Sequence, residues 1–128
     1  MQSKKVIEYW FNSAKDDQKV AKHLFEKKDY TYALFFGHLY LEKLLKALVV
    51  KTTGIQAPPI HNLRVLSEQT KLIVSEDQTE FLIEIQEYNL RARYPDFKLN
   101  FKKRCTKEFT LKQLNRVGEF GEWLKKQF

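Results

Sequence analysis

The chain has 128 residues, long enough to bury a core without disulfide or metal staples and short enough to form one domain, residues 1–128. With 43% hydrophobic and 30% charged residues it is neither a disordered chain nor a membrane protein by composition. Twenty-three Lys and Arg against 16 Asp and Glu give a formal charge of +7, a bias toward polyanions such as nucleic acid or nucleotide phosphates that solubility alone also explains.

A single cysteine, Cys105, excludes an internal disulfide, and no Cys/His set has zinc spacing, so neither metal nor cofactor is expected. No apolar run reaches the roughly 18 residues of a membrane span. Lys4, Lys5 and Glu8 stand where a signal peptide would be greasy, which predicts a cytoplasmic protein away from membranes.

From Ser3 to Lys27 the residues Ile7, Trp10, Phe11, Ala14, Ala21, Leu24 and Phe25 recur every three or four positions, the period of an amphipathic helix. Asp17 and Gln18 interrupt the stripe, with Asp17 expected to point outward or to make a polar contact. A short turn, Lys27 to Tyr30, then sends a second helix back antiparallel.

That second helix, centred on Tyr32 to Val50, is apolar over more than half of its circumference and should be the central one. Its polar arc holds His38, Glu42, Lys43 and Lys46, with Glu42 four residues before Lys46 in the favourable orientation for an ion pair. Phe35, Leu39 and Val50 share that arc, which predicts a further protein layer over it.

Gly54 should end the helix in a left-handed cap, and Pro58 and Pro59 forbid its continuation. Asn62 is placed to cap a third helix that carries Leu63, Leu66 and Ile73 inward. Ser75 with Gln78 reads as a capping box for a fourth helix, buried through Phe81, Leu82, Ile85 and Tyr88 and stopped by Pro95.

Residues 96–106 show no clean period and are expected to form a loop, with Phe97, Leu99 and Phe101 available to pin it to the body. Thr110 with Gln113 reads as the box that opens the last helix, which has Leu114, Val117 and Leu124 on its inner side. Gly118 and Gly121 lie on nearly one side of it, which predicts the close approach of another helix. The fold expected is all-α, an antiparallel up-and-down bundle of about five helices.

These segments, in this order, resemble the HEPN domain (higher eukaryote and prokaryote nucleotide-binding): FFGHLYLEKLLKALV, then Pro58-Pro59-Ile60-His61-Asn62-Leu63, then Leu90 to Asp96, then a final amphipathic helix. The likeness spans nearly the whole chain. It implies a small helical bundle, commonly a homodimer, often paired with a minimal nucleotidyltransferase and often one half of a toxin–antitoxin pair. Glu42-Lys43, His61 to Leu63 and Arg93 to Asp96 match segments of the nucleotidyltransferase-associated branch. The ribonuclease branches carry an Arg followed within a few residues by a His. Here the histidines are His23, His38 and His61, so no imidazole follows Arg91 or Arg93.

The residues themselves offer two candidate sites. One is the basic stretch with Arg91, Arg93, Lys98, Lys102, Lys103 and Arg104, interleaved with Tyr94, Phe97 and Phe101. Cations neutralise phosphate and aromatic faces stack on bases, the composition that a nucleotide or RNA surface needs. Arg93 is also in position to pair with Asp96 across the turn, while Arg91 is left open.

The other candidate rests on His38 and His61. His38 lies one turn from Glu42, which could fix its tautomer or raise its pKa, as in a general acid/base pair or in a satisfied core histidine. His61 is placed to lock the start of the third helix by a side-chain hydrogen bond. The function expected is a HEPN-like module that holds a nucleotidyltransferase partner and nucleotide or RNA. The alternative is a divergent metal-independent ribonuclease using His38 or His61.

Overall fold

The computed structural model describes residues 2–128, with the backbone alone at 95–98. Among the described residues six helices follow one another: α1 (Ser3–Glu26), α2 (Tyr30–Thr53), α3 (Leu63–Gln69), α4 (Glu76–Arg93), α5 (Pro95–Arg104) and α6 (Lys107–Lys125). No strand occurs among the described residues. The all-α bundle expected from the sequence is the fold, with six helices rather than about five.

α2 is the axis, packed by α1 along one side and by α6, α3 and α4 on the others. Leu34, Leu41, Leu44, Leu45, Ala47 and Val50 are completely buried on it. Burying a leucine stabilises by about 1.5–3 kcal/mol, so this one helix carries much of the hydrophobic driving force. Its polar arc is covered by α1 and by the connector that leads to α3, while Phe35 and Leu39 stay half-buried.

The local signals for helix ends act where expected. Gly54 adopts φ 72° and its N–H closes on Val50 O at 2.8 Å. The Asn62 side chain accepts the Val65 N–H, and Ser75 and Gln78 form a reciprocal capping box. The α1–α2 turn places Lys28 at φ 67°, a left-handed position where a non-glycine residue costs about 1 kcal/mol.

Four expectations are corrected. Residues 95–104 form helix α5 rather than a loop. A proline is tolerated in the first turn of a helix, and the alternation of Phe97, Leu99 and Phe101 masks the helical pair that is buried, Phe101 and Cys105, while Leu99 is exposed. The last helix starts a turn early: Thr106, not Thr110, accepts the Phe109 N–H, and Thr110 and Gln113 are buried inside α6.

Ile73 is 93% exposed, because α3 stops at Gln69 before it can turn that residue inward. Asp17 takes the second of its two expected roles, a polar contact, held by Lys43 at 2.6 Å and buried. Of the two glycines, only Gly121 is in close approach. A Cβ there would collide with the Tyr40 hydroxyl, whereas one at Gly118 would meet nothing within 4 Å.

Candidate functional site

The two histidines singled out in the sequence come together, joined by Glu42. His38 is fully buried, and its Nε2–H donates to the His61 carbonyl at 3.3 Å. His61 Nδ1–H donates to Glu42 Oε1 at 2.9 Å, and Glu42 Oε2 lies 3.2 Å from Lys46 Nζ. Lys46 also sits over the Trp10 ring, 5.2 Å from its centre. Glu42 and Lys46 are both buried, so each removes the charge that would otherwise strand the other.

The pairing differs from the one expected. Glu42 bonds His61, nineteen residues on, rather than His38 one turn away. Burial pushes the His38 pKa down to about 4, with Glu42 opposing only in part, so the ring is neutral at pH 7. With Nε2 donating, its Nδ1 is a buried acceptor without a partner. A ring so enclosed cannot reach a substrate.

His61 is the opposite case, with its side chain 56% exposed. An imidazole held at Nδ1 by a buried carboxylate keeps Nε2 free as an acceptor, the arrangement of a general base. Lys43 turns away from this group, to Asp17 and to Ser13 Oγ at 2.7 Å. The expected polar cluster of Glu42, Lys43, Lys46 and Asp96 is therefore divided, and the Asp96 side chain lies outside the described ones.

The second candidate occupies the junction of α4 and α5. Arg91 Nη2 meets Glu87 Oε2 at 3.3 Å, and Arg93 Nη1 donates to Asn89 Oδ1 at 3.1 Å. The expected Arg93–Asp96 pair, like Lys98 and Phe97, falls outside the described side chains. Tyr94 is 50% exposed at the extended joint between the helices. Lys102, Lys103 and Arg104 are exposed in the last turn of α5, where cations complement the helix dipole. Arg104 also covers the Phe109 ring at 5.0 Å. Of the two roles open to Phe101, stacking aromatic or anchor to the body, the structure has the anchor: it is buried against Tyr88, ring centres 5.2 Å apart.

The sequence marks Trp10 only as part of the apolar stripe of α1 and does not single out Asn89. Their polar partners, Lys46 on another helix and Arg93 one turn on, are marked by no spacing. Among the described residues no three His, Cys, Asp or Glu side chains gather to hold a metal ion, and no helix is long and apolar enough to cross a membrane.

Among solved structures the chain is similar to the crystal structure of TT1696 from Thermus thermophilus, with a TM-score of 0.82 over 95% of this chain and 98% of that one. Identity is 19%, so the likeness extends to the fold. No curated protein matches. The family model of the HEPN domain matches residues 7–127, nearly the entire bundle, and the chain belongs to the HEPN family.

Proposed function

We propose that this chain is a homodimeric HEPN module that pairs with a minimal nucleotidyltransferase, in a toxin–antitoxin-like couple, and holds nucleotide or RNA along the α4–α5 junction. The partner is inferred from the segments Glu42-Lys43, His61 to Leu63 and Arg93 to Asp96, which match the nucleotidyltransferase-associated branch. The observation that carries the rest is the surface of α4 and α5. Ile83 and Leu90, seven residues apart, are 45% and 47% exposed on α4, and Tyr94 at the joint and Leu99 on α5 are exposed as well. Two such surfaces brought together would bury the exposed apolar side chains. The cations of α5 would then border the seam.

Light scattering at micromolar concentration tests the dimer. A dimer that Leu90→Asp splits supports the reading, and a monomeric wild type sinks it. Nucleotide or RNA binding is checked by titration at two salt concentrations, since phosphate contacts weaken steeply with salt.

A second reading, a metal-independent ribonuclease, is favoured by one observation: the half-exposed His61 held by Glu42. RNA cleavage in EDTA that is lost in His61→Ala would establish it in place of the first. With His38 buried and neutral, His61 is the only one of the two suited to that work.

A further inference from the structure

α1 and α6 both lie on α2 but meet each other only sparsely. Between them runs a groove of about 960 Å³, within the usual size of a small-molecule site. Its floor is aliphatic: Ala21 of α1, Gly37 of α2, and Leu114, Val117 and Gly118 of α6, with Phe25 toward one end. Its rim carries Lys15, Lys19 and Lys22, all exposed and spaced four and three residues apart on α1, with Asp16 and Glu26 as the acids.

Gly118 is the telling residue. Glycine inside a helix is destabilising relative to alanine, and it usually persists where a neighbour comes too close for a Cβ. Gly121 has that reason in Tyr40, and at Gly37 a Cβ would stand 3.3 Å from Leu114 Cδ2. At Gly118 a Cβ would meet nothing within 4 Å. Nothing inside the described molecule requires a glycine there, and its absent side chain leaves room on the groove floor. Beside that floor the Tyr40 hydroxyl is buried, with Lys125 and Gln18 near it.

We propose that the α1/α6 groove binds a single-chain amphiphile with an anionic head, a medium-chain carboxylate. Its chain lies on Leu114, Val117 and Gly118, and its head among Lys15, Lys19 and Lys22. The aliphatic floor suits a flexible hydrocarbon better than a planar base. Three lysines against two acids favour a single negative charge over a neutral or cationic head. The site is separate from the α4–α5 surface, so it stands or falls without the function proposed above.

The test titrates the whole chain with octanoate and, as the uncharged counterpart, 1-octanol, followed by calorimetry and by amide NMR shifts. Octanoate should saturate at one per chain and shift the amides of Leu114 and Gly118. Replacing Lys15, Lys19 and Lys22 together by Gln should weaken octanoate by about tenfold and leave 1-octanol within about twofold. Gly118→Leu should abolish both, and Gly118→Ala, which keeps the helix sound, should raise the Tm of the free chain while weakening octanoate.

Uptake that does not saturate, shifts confined to other helices, or binding indifferent to Gly118→Leu would each overturn the proposal. So would a Gly118→Leu chain whose oligomeric state differs from wild type, which would assign the groove to a second copy.

Discussion

The cluster around Glu42 and the cationic end of α5 are both rich in charge, yet they are built on opposite terms. In the first, a carboxylate, an ammonium and the His38 imidazole are enclosed by α1, α2 and the connector before α3, while the half-exposed His61 ring closes the cluster from that connector. In the second, the arginines of α4 lean on side chains one turn back, and the cations of α5 stand in water. Enclosed charge couples to folding, because its desolvation must be offset wherever the chain is native. Exposed charge couples to solution conditions, because salt screens it.

The sharpest way to break that contrast is to strand Lys46. Glu42→Ala should cost about 3–5 kcal/mol in urea denaturation, because an uncompensated ammonium remains buried. Glu42→Leu with Lys46→Met should recover most of the loss, since an apolar pair of similar volume needs no compensation.

Acid should act on the cluster next. The His38 pKa is lowered in the fold, from 6.5 to about 4, by burial, which outweighs the opposing Glu42 carboxylate and the hydrogen bond to the His61 carbonyl. Below 6.5 the unfolded chain therefore binds the proton first. The contribution is complete above that pH and is lost as pH falls through 4, on the order of 3 kcal/mol in all. A stability profile flat between pH 7 and 4 would contradict it, and His38→Gln should remove this part of the slope.

The cationic end should respond the other way. Lys102→Gln with Lys103→Gln should leave stability within about 0.5 kcal/mol. If the pair contacts single-stranded RNA, the same change should lower the salt slope of binding by about 1.4. The smallest effect is expected at Arg91→Ala, where the partly exposed pair with Glu87 is worth about 0.5 kcal/mol or less by thermal melting.

The same contrast explains what could be read from the sequence. Gly54, Asn62 and the Ser75–Gln78 box act within a few residues of themselves, so spacing alone exposes them. The burial of α2 is equally legible, because its apolar face is continuous. α5 was hidden by an alternating pattern, and Thr106 by a second threonine four residues later that could serve equally well. The link from Glu42 to His61 spans a connector whose path no local rule fixes. His38, one turn from Glu42, was the nearer and misleading partner. Nor could spacing separate Gly118 from Gly121, since only the position of Tyr40 distinguishes them.

The Asn62 cap has a consequence for how α3 holds on. Seven residues are too few for a helix to persist in water unaided. Its first turn is moored from outside: Gln86 Oε1 takes the Leu63 N–H at 3.1 Å, His38 grips the His61 carbonyl and Glu42 the His61 ring. Cut those moorings and the segment should detach as a unit while the α1–α2 hairpin stands. Leu63 and Val65 would then exchange their amide hydrogens long before Leu44 does, a local opening well short of global unfolding.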